Sequence, residues 1–387
     1  MPRNTTVVTR RNYLQRLGDS LVGTLIGIVL ILASVAVLFW NEGRAVEASR
    51  GLAADERVAI ALSQPTVLPA NEGKLVHLTG PVVTTSTLTD PDTGAVFPAA
   101  LGVQRRVEMF QWIQTASSQT QDKLGGTQET TTTYSYAPGW SDTPQDSSTF
   151  AEPQGHANPT FGFRSQAYFA ADATLGGFAL SQNVLEQVPA ETPIRPEIIP
   201  QGWTQTEAGL YRGPGSAASP RIGDIRVTYQ QLPSGTVMSA LGEQSGGELA
   251  GWTPPGSRYT LLKARAGSFS AAAMFADQKS SEGLATWALR GVGYVMAIVG
   301  FLMLLGPLSA LANVVPFIAT LLGTVSGWIG FMLATVLTTG TIALAWVAVR
   351  PLLAIGLLVA GLGLWLAVRM LGRPEPGLSK GSISQRH

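Results

Sequence analysis

The stretch GVGYVMAIVGFLMLLGPLSALANVVPFIATLLGTVSGWIGFMLATVLTTGTIALAWVAV, residues 291–349, runs 59 positions without an Asp, Glu, Lys or Arg. Arg350 ends it, and Pro351 to Val368 adds 18 more uncharged residues. Near the other end, Ser20 to Asn41 gives 22. Crossing the hydrocarbon core of a bilayer takes roughly 20 apolar residues as a helix, so these stretches have the length of membrane spans. A helix in a soluble core is shorter and keeps a polar face. The charged fraction of 13%, about half the usual value, is concentrated between these regions. The chain reads as an integral membrane protein.

Polar and helix-breaking residues collect at Asn313–Pro316 and at Thr338–Thr341. They divide the C-terminal block into expected spans 287–312, 316–337 and 341–368. The division at Thr338–Thr341 has an alternative, in which Pro351 starts the last helix and Thr341–Val349 is re-entrant or lies on the surface. The first span is 20–41. Its apolar run, Leu21–Trp40, exceeds the roughly 7–15 residues of a signal peptide's core and ends without a small-residue cleavage site, so it reads as an uncleaved anchor. Arg3, Arg10, Arg11 and Arg16 in the arm 1–19, and Arg369, Arg373, Lys380 and Arg386 in the tail 369–387, outnumber the acids beside them. Such a bias marks the cytoplasmic side. Both termini are therefore expected in the cytoplasm, and four crossings satisfy that.

Gly23 with Gly27, and Gly323 with Gly327, have the spacing at which helix backbones approach closely. Packing between protomers and packing within one are both open. Arg350 is the candidate intramembrane charge, either a functional group or an arginine that reaches back to the headgroups.

Residues 42–286 are hydrophilic, punctuated by Gly and Pro, and rich in β-branched and aromatic segments. Strands are expected at Lys74–Thr79, Val82–Leu88, Val103–Ile113, Glu129–Tyr136, Ile222–Leu232, Thr236–Leu241 and Tyr259–Ala266. Asp90-Pro91-Asp92-Thr93-Gly94 is a turn, and Ser181–Val188 a short helix with Ser181 as N-cap. Thr115–Thr133 and Pro138–Pro159 are expected as long loops. The fold class is thus an α+β membrane protein: four transmembrane helices, one N-terminal and three C-terminal, with a large β-rich extracytoplasmic domain between the first and second.

The chain has no cysteine, which removes disulfides and thiolate chemistry. His77, His156 and His387 lack the spacing of a metal site, and no phosphate-binding loop or nucleophile elbow occurs. No cofactor, metal or nucleic-acid partner is indicated. Arg105, Arg106, Glu108 and Trp112, with Phe110, form the densest charged and aromatic cluster. It reads either as a ligand site or as an interstrand ion pair beside core aromatics, the latter preferred. Trp40, Glu42 and Arg44 leave the first helix where Glu282, Trp287 and Arg290 enter the second, at similar depth. Glu42 with Arg290, or Arg44 with Glu282, is expected to clamp the domain to the helices.

Several runs follow one another in an order that resembles the transmembrane protein 43 (LUMA) family. They are Leu38–Val46 (LFWNEGRAV), Glu72–Gly80 (EGKLVHLTG), Arg105–Trp112 (RRVEMFQW), Thr133–Tyr136 with Trp140, Asn158-Pro159, Gly223–Val227 (GDIRV), Thr286–Arg290 (TWALR) and Arg350-Pro351. The likeness spans about Gly18 to Arg369. It implies a four-pass protein with a lumenal or extracytoplasmic domain, in a family with no established enzymatic activity. Eukaryotic members are known from the endoplasmic reticulum and inner nuclear membrane, where they organise membrane complexes. The 21 Arg against 5 Lys, with abundant Gly and Ala, favour a bacterial member in the plasma membrane. The expected function is a non-enzymatic scaffold, self-associating in the lipid bilayer. A channel or transport assembly, or a lipid-binding or lipid-modifying protein, is the alternative.

Overall fold

The computed structural model describes residues 5–11, 13–123, 127–255, 259–307 and 316–349. Three long helices dominate one end: α1 (Tyr13–Val58), α3 (Ala271–Leu304) and α4 (Pro316–Val349), with a short α2 (Gln182–Leu185) elsewhere. By length and composition, Gly18–Val58, Ala271–Leu304 and Val325–Val349 can each cross a membrane. Arg350, the tail 369–387 and most of the expected span 341–368 lie outside the described residues.

Two of the expected helix boundaries move outward. α1 does not stop at residue 41, because Glu42–Val58 is rich in good helix formers and buries Ala48 and Leu52. α3 starts sixteen residues before position 287, where the Ser270 hydroxyl accepts from the Ala273 N–H at 3.2 Å and caps the first turn. At ~1.5 Å per residue α1 is about 69 Å long, more than twice the ~30 Å hydrocarbon core. A stalk of continuous helix therefore joins the apolar run to the domain.

The expected break at Thr338–Thr341 is absent, and α4 runs straight through it. Thr and Gly weaken a helix in water. In apolar surroundings an opened backbone has no water to bond, so the helix persists across them. α4 is accordingly one span where the sequence suggested the end of one and the start of another.

α1 and α3 pack antiparallel with a seven-residue beat. A Cβ at Gly27 would stand 2.6 Å from the Gly300 carbonyl. The Ser34 hydroxyl donates to the Gly293 carbonyl at 2.8 Å, and the Asn41 amide to the Thr286 carbonyl at 3.1 Å. Between these, Ile31 fills the space over Gly300 and Leu38 the space over Gly293. Large side chains thus enter holes left by glycine, as in a coiled coil. Gly23 and Gly27 therefore serve packing within the protomer. Gly327 faces open space, and the surroundings of Gly323 are not described.

Among the described residues the β-domain is two large sheets and a two-stranded ribbon, Thr87–Thr89 with Val96–Pro98. The eight-stranded sheet is built on Ala100–Asp122, which pairs with Gln128–Ser141 on one side and Ile225–Pro233 on the other. The seven-stranded sheet centres on Leu75–Val83 and Val237–Ser245. One core lies under the second sheet (Leu78, Leu175, Phe178, Met238), and another under the first (Phe97, Val107, Leu210, Val227). A third joins Leu52 of α1 and Met274 and Phe275 of α3 to Leu75, Leu241 and Leu261. The helical stalk is therefore rooted in the domain's core.

Thr115–Asp122 and Gln128–Thr133 are no loop: they make up most of the outer hairpin, paired from Met109↔Ser141 to Asp122↔Gln128. Its polarity misled, but Thr is β-branched and favours strands. Hydroxyls pair across it at Thr115–Ser135 (2.7 Å), Ser118–Thr132 (2.9 Å) and Thr120–Thr130 (3.0 Å). The arm 1–19 also differs from a free segment, since Thr5–Arg11 adds antiparallel to the hairpin's outer edge from Thr5↔Tyr134 to Arg11↔Gln128. An edge strand presents unpaired N–H and C=O groups, and β-branched Thr5–Thr9 satisfies them.

Candidate functional site

Where the apolar run of α1 ends, polar side chains from three helices meet. Glu42, 2% exposed, receives both Nε and Nη2 of Arg290, at 2.7 and 2.8 Å. A bidentate fork of this kind is the strongest geometry for such a pair. Trp346 of α4 donates its indole N–H to the same carboxylate at 2.9 Å, tying the third helix to the first two. The Arg290 guanidinium also lies 4.7 Å from the Trp287 ring centre, where a cation is attracted by the ring face. One turn further out, Arg44 donates to Glu282 at 2.6 Å and to the Thr286 hydroxyl at 3.3 Å. Arg50 reaches the carbonyl of Val349, at the end of α4, at 3.2 Å.

Both pairs anticipated from depth alone are thus present. Trp40 and Trp287 stand on the outside of this layer, 59% and 69% exposed, at the level where an amphipathic ring is favoured beside a bilayer. Asn41 is expected at this level from the sequence, though without its partner; Trp346 and Thr286 were not anticipated. Trp346 carried a signal, being an indole at the end of an uncharged run, the usual place for an interface aromatic.

Of the other candidate cluster, Arg105 separates from the rest, while Glu108 makes an interstrand ion pair beside an aromatic ring. Arg105 is wholly buried and turns to the opposite side of its strand from Arg106 and Glu108. It meets Asp90 and Asp92 of the turn and donates Nε and Nη2 to the Arg164 carbonyl at 3.0 and 2.8 Å. Asp90 also accepts from the hydroxyls of Tyr229 (2.7 Å), Thr93 (2.8 Å) and Tyr168 (3.2 Å). Burial alone would raise the Asp90 carboxyl, but the bonds from Tyr229 and Thr93 and the charge of Arg105 outweigh it and hold it below the usual carboxylate range. The same burial, with Asp90 alongside, pushes the Tyr168 phenol up to about 12.

Glu108 instead accepts from Arg226 across the strands at 2.7 Å, and that guanidinium lies 4.5 Å from the Trp140 ring centre. Arg106 is exposed and 4.0 Å from Glu108. Trp112 lies edge-on to His156, 4.8 Å between ring centres, and its backbone is bracketed by the Asn158 amide. These are structural ties, each with its own partners. A further tie escaped the sequence: buried Asp224 accepts from the Tyr211 hydroxyl and from the Arg221 and Gly215 N–H groups, and a Cβ at Gly213 would strike it.

Among the described residues no group of His, Asp or Glu is placed to hold a metal ion. The ordered polar site is the interhelical layer, so fold and site together define a helix-anchored membrane protein carrying an ordered β-domain. The family profile "Transmembrane protein 43" matches residues 109–351. The chain is 31% identical to Transmembrane protein 43 of Homo sapiens over 376 residues, 91% of this chain and 90% of that protein. The likeness to the Rattus norvegicus protein is 30% over 88% of each chain, and to the Drosophila melanogaster homolog 29% over 87% of this chain and 91% of that one. The chain belongs to the transmembrane protein 43 family. These relatives are named as transmembrane proteins, not as enzymes. No solved structure matches it.

Proposed function

We propose that the protein is a non-enzymatic scaffold that self-associates through the outer hairpin while its helices hold the β-domain at a fixed height over the membrane. The observation that carries this is the hairpin's outer edge, which takes the seven-residue strand Thr5–Arg11 where no bilayer intervenes and so has the form to accept a strand. Beyond Thr115 and Ser135 the hairpin pairs with no other strand among the described residues. A sheet edge that takes one strand is a template for another. Two copies meeting edge to edge form a two-fold interface.

With the positive arm 1–19 in the cytoplasm, the domain lies on the other face of the membrane. Thr5–Arg11 and the hairpin then lie on opposite sides of the bilayer, and the polar ribbon cannot pass through lipid. The crossing prevails. Thirteen Leu, Ile, Val and Phe in Leu21–Trp40 favour insertion by roughly 0.3–0.6 kcal/mol each, about 4–8 kcal/mol. Seven edge residues gain ~1 kcal/mol per hydrogen bond and lose as much or more in ordering. Insertion thus frees the hairpin edge for a second copy. α4 ends on the domain side, at Arg50, so a cytoplasmic tail calls for one more crossing, which the uncharged run Pro351–Val368 has the length to supply. The arginine-rich composition supports a bacterial plasma membrane as the bilayer.

Shortening the hairpin at the Ser117↔Thr133 pair, with an Asn-Gly turn to close it, tests the reading. The full-length protein in detergent should migrate as a multimer and the shortened one as a monomer with the same unfolding temperature. Equal particle mass for both sinks the proposal. Because the chain lacks cysteine, Thr9→Cys with Thr130→Cys, an observed register pair, reports the topology. No intramolecular disulfide should form in native membranes, and its formation would contradict the crossing by α1.

A further inference from the structure

On the side of α1 turned away from α3 lies an open groove of about 970 Å³, floored from Leu32 through Ala36 and Phe39 to Gly43. Leu32 and Phe39 are 65% and 45% exposed, and nothing lies within 4 Å of where a Cβ on Gly43 would stand. These four positions recur at spacings of 4, 3 and 4, the beat by which α1 also meets α3, and large alternates with small along them. A lipid-facing surface needs no such stripe, because fluid acyl chains cover any apolar relief. A second helix does need it, since its knobs and holes come at fixed intervals.

The end of α4 points to which helix that is. Arg50 stands two turns beyond Gly43 on the same face of α1, and donates to the carbonyl of Val349, the last residue of α4, at 3.2 Å. α4 therefore stops over the outer end of the groove. The next residues are Arg350 and Pro351, and a proline, lacking an N–H, suits the first turn of a helix. The uncharged run Pro351–Val368 lies outside the described residues. As a helix its 18 positions would extend ~27 Å, enough to cover the floor from Gly43 to Leu32, ~17 Å.

We infer that Pro351–Val368 forms a helix antiparallel to α1 and fills this groove. One register sets large against small at every step: Leu352 on Gly43, Gly356 on Phe39, Val359 on Ala36 and Gly363 on Leu32. Each step back along α1 is matched by an equal step forward along the run, as antiparallel packing requires. Arg350 then lies in the corner between two helices, at headgroup level, and not within the bilayer. The inference rests on the crossing by Pro351–Val368 read above and is independent of the hairpin's role.

Because the chain has no cysteine, the register is measurable in native membranes. Ala36→Cys with Val359→Cys should close an intramolecular disulfide on mild oxidation, as should Leu32→Cys with Gly363→Cys. Free thiols, counted by maleimide-polyethylene glycol on the monomer band, should fall about tenfold below those of Ala36→Cys with Leu357→Cys, whose second cysteine points to the opposite side of its helix. Ser384→Cys in the tail reports the crossing by itself, and should react with an impermeant maleimide only from the cytoplasmic face. If the tail is cytoplasmic but the matched pairs keep as many free thiols as the control, the packing is overturned and the crossing stands. A tail that reacts from the domain side overturns both. A disulfide-linked dimer of Ala36→Cys alone would show a second copy in the groove and likewise overturns the inference.

Discussion

Among the described residues an arginine is buried against a carboxylate at two sites, on different terms. Arg290 and Glu42 come from helices 248 residues apart, at the level where apolar surface gives way to polar. Arg105 and Asp90 lie 15 residues apart, inside the β-domain, with neither side chain exposed. The first site is a joint: it fixes how α1, α3 and α4 sit together, and Trp287 and Trp346 close around it. The second is a rivet, pinning the turn Asp90–Gly94 against the strand Ala100–Asp122 with tyrosine hydroxyls closing the remaining lone pairs. Burying charge is costly unless every donor and acceptor is met, and both sites meet nearly all of theirs. They differ in access to water, and that sets how much each loses when one partner is removed.

The rivet should break hardest. Arg105→Met keeps the volume but leaves Asp90 buried without its cation, which should cost about 3–5 kcal/mol. Thermal unfolding of the purified full chain, followed by near-ultraviolet dichroism of the β-domain, would show it. The double change Arg105→Met with Asp90→Asn should recover part of the loss, because the uncompensated charge is then gone. A loss below ~1 kcal/mol in Arg105→Met would mean that the cluster is not the tie described.

The joint should lose less, about 2–3 kcal/mol for Glu42→Arg or Arg290→Glu alone, since its arginine is 17% exposed and can find water. The swap of both charges should restore most of that, because the fork works in either direction across the helices. The coupling energy of this cycle, read from unfolding in detergent micelles, sharpens the comparison. Additive single and double effects would remove the pair from any role in joining the helices.

The joint was legible in the sequence and the rivet was not, for a physical reason. Depth in a bilayer is a coordinate that can be counted along a helix from the end of an apolar run, so Glu42 and Arg290 could be matched without a structure. Nothing comparable locates Arg105 against Asp90. Its immediate neighbours Arg106 and Glu108 drew attention as one cluster, but strand alternation sends Arg105 to one face and the other two to the opposite one. The Thr- and Ser-rich hairpin was misread for a related reason. It is stabilised by pairing along its length, not by a buried face, so it lacks the apolar alternation by which strands are recognised. The helix ends were missed because Ala, Glu, Arg and Leu beyond residue 41 carry no hydropathy signal, though they favour helix. The seven-residue beat of α1 and α3 was visible at Gly27, Ser34 and Asn41 only once the partner positions were known.

The smallest effect lies outside both sites, at His77 in the second sheet. It is 6% exposed, and its Nε2 has no partner among the described residues. Burial lowers its pKa from the ordinary 6.5, more than the bond to the Phe269 carbonyl raises it. The folded protein therefore takes up this proton less readily than the unfolded chain, so stability is complete above pH ~6.5 and declines below it, until the folded group itself titrates. The slope cannot exceed ~1.4 kcal/mol per pH unit. Asp90 acts in a separate window. Its depressed carboxyl gives stability that is present above its ordinary 3.8 and lost only at lower pH. Unfolding temperature measured from pH 7 to pH 5 should thus fall in the native chain and stay level in His77→Leu. An equal fall in both would assign the acid sensitivity to some other group.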